Sequence, residues 1–285
     1  MTSVPQVSSV TAEPHVSSEL LEFYGNTIDE SERLTSSADG LLELLRTQEI
    51  LRRYLPSGRA RVLDVGGGPG THARWLVKDG HFVHVVDPVP RHVSHAATTG
   101  ATVEIGDARN LTAPDHSYDV VLLLGPLYHL PERAERDRAL AEALRVVKPG
   151  GLIAAAAVGR YATLFEHVAT TRLDKEIVRD TVRERLRTGF HEPGSKGFST
   201  VYFHTPQELA EELTQAGLDD VQLHNVEGPA WAVLKGTEQY TQGTIGNSPL
   251  FRAALEAARL ADAHPALLCT ASHLLAVGRA PHALT

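Results

Sequence analysis

The chain has 285 residues, with 27 Lys and Arg against 35 Asp and Glu, a net charge of −8 and a single cysteine. This length suits one main domain with extra helices, and an acidic balance without a dense basic block argues against a nucleic-acid partner. No apolar run approaches a membrane span, the first residues show no leader pattern, and one cysteine closes no internal disulfide, so a cytoplasmic protein without a membrane partner is expected.

Residues 1–18 are rich in Ser, Thr, Val and Pro with no helical period and read as a mobile tail. Residues 19–58 form a predicted helical cap. Helical signals begin near Ser18, and a longer helix from about Gly40 to Leu55 carries Leu41, Leu44, Leu45, Leu51 and Leu55 on one stripe before Pro56, Ser57 and Gly58 end it. The main domain is expected over 59–285, opening with strands and helices that alternate to about Val158, a pattern that calls for a parallel sheet covered on both faces. In the helix after Pro131, Leu140, Leu144 and Val147 should face that sheet.

Beyond Val158 the alternation breaks. Residues from about Arg160 to Arg187 read as helix, and with the turn-rich stretch Thr188 to Lys196 they predict a lid inserted over about 160–204. Thr205-Pro206-Gln207-Glu208 is a helix start, with Thr205 as cap, proline in the first turn and Glu208 completing a capping box; Gly217 ends that helix. Leu218–Val226 and Ser272–Gly278 fit the last two strands. Cys269, beside Leu267 and Leu268, is expected to be a small core residue.

The most informative segment is Val62 to Gly70, VLDVGGGPG, a hydrophobic strand running into a turn almost without side chains. Such a turn lets bare backbone approach a ligand. A dinucleotide fingerprint would need glycine at position 71, which is Thr71, so a nicotinamide dehydrogenase fits poorly. Asp64, Gly66, Gly68 and Gly70 instead spell D-x-G-x-G-x-G, which resembles motif I of the class I S-adenosylmethionine-dependent methyltransferases. The likeness extends through about residues 60–158.

That resemblance implies a Rossmann-like α/β fold: a seven-stranded, mostly parallel sheet with an antiparallel last strand, an N-terminal helical cap and a lid. It also implies S-adenosyl-L-methionine as cofactor and S-adenosyl-L-homocysteine as product. Asp64 and the backbone of Gly66, Gly67 and Gly68 would line the first strand tip. Asp87, followed by Pro88 at the second tip, would take the ribose diol, and Asp107 with Ala108 the adenine. Leu124 belongs to the floor beneath the methyl. From the cap, Tyr24 could cover the cofactor, and Arg33 or Arg46 could offer a guanidinium fork to the methionine carboxylate.

Methyl transfer is an in-line displacement, so alignment and exclusion of water come first, and a base is needed only for a protic acceptor. Among 15 histidines, His129 beside Tyr128 follows the fourth strand, and His191 and His204 lie on or beside the predicted lid; these four are the expected catalytic or substrate-contacting residues. Glu227 to Trp231 is a further pocket-edge segment. No catalytic metal is expected. His81 and His84 fall on opposite faces of a strand, and His92 with His95 lacks a third ligand nearby. The expected substrate is a small organic molecule, a metabolite or natural product, with the O, N or C acceptor open. Methylation of tRNA or protein, or a cofactor-binding module without transfer, are the alternatives, and the pattern fixes no oligomeric state.

Overall fold

The structure is a computed structural model that describes residues 16–27, 30–191 and 200–282. Most of the predicted tail, and Glu192–Ser199 of the predicted lid, lie outside the described residues. The chain opens with α1 (Ser18–Glu22), a single π-helical turn (Phe23–Thr27) and α2 (Ala38–Tyr54). The α/β core follows as β1 (Arg61–Val65), α3 (Thr71–Lys78), β2 (Phe82–Asp87), α4 (Pro90–Ala96), β3 (Thr102–Ile105), β4 (Tyr118–Leu123), α5 (Pro126–His129), α6 (Arg133–Val146) and β5 (Val147–Val158). Then come α7 (Ala162–Ala169), α8 (Glu176–Thr188), β6 (Phe190–His191), β7 (Val201–Tyr202), α9 (Pro206–Gln215), β8 (Asp219–Asn225), α10 (Trp231–Thr241), α11 (Pro249–Asp262) and β9 (His273–Arg279).

Seven strands form one sheet in the order β3-β2-β1-β4-β5-β9-β8, while β6 and β7 pair separately. Strands β1 to β5 pair in parallel, and β9 runs antiparallel to both β5 and β8. Both faces are covered, which is why the central strands read as continuous apolar runs. Leu63, Val121, Leu123 and Ile153 pack with α6 and α9 on one face; Val62, Val85, Val120 and Leu152 pack with α2 and α3 on the other. A third cluster joins Leu42, Trp231, Leu234 and Phe251 of α2, α10 and α11. The chain winds from β1 out to β3 and returns to place β4 beside β1, and at that reversal strand tips diverge to leave a crevice.

Several elements differ from expectation in instructive ways. The buried face of α2 is Leu42, Arg46, Thr47, Ile50 and Leu51, with Leu41 and Leu45 turned toward the α10–α11 cluster. The helix is sandwiched between sheet and outer helices, so its apolar surface is wider than one stripe. Val147 is the first residue of β5 rather than the last of α6. The predicted single helix after Arg160 is two, broken at 170–175 where Thr171 takes a left-handed φ of 52°. Helices α10 and α11, inserted between the last two strands, were not foreseen. Cys269 is exposed, because it lies in a 3-10 segment on the surface. The capping box at Thr205 and Glu208 forms, and Gly217 follows α9 at φ 102°.

Candidate functional site

At the tip of β1 the turn takes positive φ at Gly66 (66°), Gly68 (57°) and Gly70 (85°). A Cβ on Gly66 would meet the Pro126 ring at 2.8 Å and one on Gly67 the Asp64 carboxyl at 2.7 Å, whereas nothing lies within 4 Å of one on Gly68. Gly68 thus presents open backbone to a cavity of about 320 Å³ that spans the strand tips.

Asp87, last in β2, is buried and fixes this turn: its carboxylate accepts from Gly68 N at 2.9 Å and Val89 N at 2.9 Å, and Nδ1 of His92 lies 3.1 Å away. Pro88 lines the cavity beside it. After β3, Asp107 and Ala108 line the same cavity, with the Asp107 carboxylate held by the Arg109 backbone N–H at 2.8 Å and its guanidinium at 2.6 Å. Asp64 is fully buried, and neither of its oxygens has a hydrogen-bond partner among the described residues. Burial, reinforced by the nearby Asp87 charge, pushes its carboxyl up to about 7. A buried acid without donors inside a cavity suits a ligand that brings its own positive charge or N–H groups. That describes the methionine end of S-adenosylmethionine, and the bare Gly68 backbone suits its nucleoside.

The β4 tip supplies Leu124, then the single turn of α5 with Tyr128 and His129, all lining the cavity. The Tyr128 hydroxyl reaches the Leu124 carbonyl at 3.4 Å. His129 Nε2 is 2.9 Å from the Tyr24 hydroxyl, so Tyr24 closes over the strand tips from the π-helical turn. Burial lowers His129 to about 4 and raises both tyrosines well above their ordinary range. Arg33 also lines the cavity, donating to both oxygens of Glu43 at 2.8 and 3.0 Å and to Glu30 at 2.5 Å.

The structure brings together Tyr24, Arg33, Asp64, the three glycines, Asp87, Pro88, Asp107, Ala108, Leu124, Tyr128 and His129. It does not bring Arg46, His191 or His204 to them. Arg46 is buried beneath α2, bonded to Val226 O, Glu49 and Asp262. His191 sits against Arg185 at 2.7 Å, and burial with that charge lowers it to about 4. His204 is fully buried in the core, its Nε2 3.4 Å from Glu212. Of the predicted lid, Thr200 reaches the cavity lining among the described residues, and α7 packs instead on α10.

Sequence reasoning passed over a second group of cavity residues: Glu43 and Thr47 on α2, His72 on α3 and His273 at the start of β9. His273 donates through its backbone N–H to Glu227 Oε2 at 2.9 Å, and its Nδ1 is 2.5 Å from Glu227 Oε1. Burial pulls His273 down, but Glu43 and Glu227 outweigh it and raise the ring above 6.5. Burial likewise opposes ionisation of Glu43, and Arg33 overcomes it, holding the carboxyl at about 2. The one available signal was position, since Ser272–Gly278 enters the sheet at the same edge where β5 leaves it. Among the described residues, ligand-type atoms of Glu43, Glu227 and His273 lie within 4.8 Å of one another. None of these belongs to the two H-x-x-H pairs, and Arg33 and His273 already occupy the carboxylates.

The comparisons agree with this geometry. The methyltransferase-domain family matches residues 62–151. An uncharacterised methyltransferase of Mycobacterium tuberculosis is 33% identical over 174 residues, 57% of this chain and 67% of that protein. A methyltransferase of Streptomyces halstedii is 30% identical over 159 residues, covering 52% of this chain and 56% of the relative. In fold, phosphoethanolamine N-methyltransferase 2 of Haemonchus contortus, solved with S-adenosyl-L-methionine, superposes with a TM-score of 0.57 at 18% identity, over 94% of this chain and 61% of that one. With its seven-stranded topology, glycine turn and cofactor-sized cavity, the chain belongs to the class I S-adenosylmethionine-dependent methyltransferases.

Proposed function

We propose that this methyltransferase acts on a small organic acceptor, a metabolite or natural product, held beside the cofactor in the same cavity. The observation that carries the reading is the cavity's shape and charge. It runs from Asp107 beyond β3 to His273 on β9, is walled by N-terminal residues such as Leu20, Tyr24 and Leu34, and is lined by more acids than arginines. A tRNA substrate would need a basic strip along an open face.

In this reading the Gly66–Gly68 backbone and Asp87 hold the ribose, Asp107 and Ala108 flank the adenine, and Asp64 with Leu124 faces the methionine end. Tyr24 covers the bound nucleoside, and Arg33 provides positive charge for the methionine carboxylate. When bound, the cofactor supplies an electrophilic methyl group; the protein's part is to align the acceptor and keep water out. Tyr128 and His129 form the wall beside the β4 tip.

The test is incubation with methyl-labelled S-adenosylmethionine and, in separate reactions, a metabolite extract, bulk tRNA and unfolded cellular protein. Label in the low-molecular-weight fraction is expected. Label in tRNA or protein would contradict the small-molecule reading, and tight cofactor binding with no product in any fraction would favour a binding module.

A further inference from the structure

Four histidines line the cavity, and their surroundings differ. His92 is paired with Asp87 at the nucleoside end. His72 receives the Trp75 indole N–H at 3.2 Å and is lowered by burial to about 4. His129 has its Nε2 engaged by Tyr24. His92 and His273 each combine a carboxylate on one ring nitrogen with a second nitrogen that no described residue bonds, and of the two only His273 stands away from the nucleoside end.

Its position matters as much as its partners. The nucleoside-binding tips belong to β1, β2 and β3, on one side of the switch point; β4, β5 and β9 extend the same sheet edge the other way. His273 pairs with Val158, the last residue of β5, so it stands at that edge, on the face shared with Leu275, Ala156 and Thr47 of the cavity wall. This half of the cavity is the room left for an acceptor. Glu227, 1% exposed, grips both the backbone and the ring of His273, which fixes the Nδ1–H tautomer and leaves the Nε2 lone pair directed away from the carboxylate.

We propose that His273, positioned by Glu227, accepts the proton of the methyl acceptor, and that the acceptor is therefore a protic nucleophile, a hydroxyl or ammonium compound rather than a carboxylate. The inference rests on the small-molecule methyltransferase reading above. In the step, Nε2 takes the acceptor's proton and the acceptor's lone pair bonds to the methyl carbon. The methyl–sulfur bond breaks with its electron pair remaining on sulfur, so the sulfonium becomes a neutral thioether. The positive charge ends on the His273 imidazolium, between Glu227 and Glu43, and is discharged as a proton to solvent. Facing this ring are Glu227 after β8, Glu43 of α2 and Arg33 before α2; Arg33 opposes the charge and the two acids support it.

The deciding experiment is 15N-histidine NMR of the S-adenosylhomocysteine complex, with His273→Gln used to assign the signal. The expected result is a neutral Nδ1–H tautomer titrating above 6.5; in Glu227→Gln the midpoint should move down and the Nε2–H tautomer appear. An Nε2–H tautomer in the unaltered protein, or a midpoint at or below that value, would overturn the proposal. S-adenosylhomocysteine failing to bind would instead sink the underlying methyltransferase site, so the two failures are distinguishable. With an acceptor recovered by labelling, His273→Gln should lower kcat on the order of 10²-fold or more while leaving S-adenosylhomocysteine affinity within about twofold. An unchanged kcat, or a carboxylate as the methylated group, would refute it.

Discussion

Asp64 and Asp87 sit close enough to influence one another, yet their surroundings assign them different tasks. Asp87 accepts from the Gly68 and Val89 amides and so organises the turn, and its Oδ2 has a further lone pair to offer a ribose hydroxyl. Asp87→Ala is expected to weaken S-adenosylhomocysteine binding by about 1 to 3 kcal/mol, measured by calorimetry, through lost hydrogen bonds. Asp64 has no donors among the described residues, and its folded pKa of about 7 stands above its ordinary 3.8. A carboxyl raised on folding costs stability increasingly as pH climbs from the lower value to the higher. The melting temperature should therefore carry a downward contribution between about pH 4 and pH 7 that is absent in Asp64→Asn, and equal pH slopes in the two proteins would contradict the assignment. Both aspartates were legible from sequence because Asp87 ends β2 and Asp64 is the penultimate residue of β1, each in a strand with a strong apolar pattern. His273 was not, since its importance comes from Glu227, 46 positions away, and Glu43 across a helix.

The glycine turn shows the same contrast between local and distant causes at the level of one element. Its spacing alone predicts a close backbone approach; Gly68 takes a positive φ, which favours glycine, and a Cβ there would stand in open space. Gly68→Ala should cost on the order of 1 to 2 kcal/mol of stability from the left-handed conformation and weaken cofactor binding at least tenfold, because the methyl enters the cavity. Thermal denaturation and calorimetry separate the two effects; unaltered affinity would remove Gly68 from the cofactor site. The capping box of α9 was equally readable, being complete within four residues. The face of α2 was not, because helices α10 and α11 pack on its outer side and bury residues that a single sheet contact would have left exposed. His191 and His204 were singled out from proximity to a presumed lid, but β6 and the start of α9 draw them into packing behind the cavity rather than onto its wall.

Across the whole molecule, the fold's order was legible through about Val158 because alternating strands and helices leave few topologies open. The inserted helices beyond it carry amphipathic patterns that do not say which strand they follow. A buried tie between the two regions is the pair of Arg136 on α6 and Glu212 on α9, bonded at 2.8 Å and both almost wholly enclosed. Although burial opposes it, the His204 and Arg136 contacts hold the Glu212 carboxyl at about 2. Because that value lies below the ordinary 4.5, the tie contributes fully above 4.5 and is lost as pH falls toward 2. Arg136→Met should destabilise the domain by about 3 to 5 kcal/mol by stranding Glu212, without changing cofactor affinity of the folded fraction; denaturant titration with parallel calorimetry checks both halves. The central claim is that one nucleoside is held where β1, β2 and β3 end, and a crystal structure of the S-adenosylhomocysteine complex tests it most directly. The account predicts ribose against Asp87, adenine beside Asp107 and Ala108, and the homocysteine end toward Asp64. Density for the ligand elsewhere, with this crevice filled by protein side chains, would contradict it.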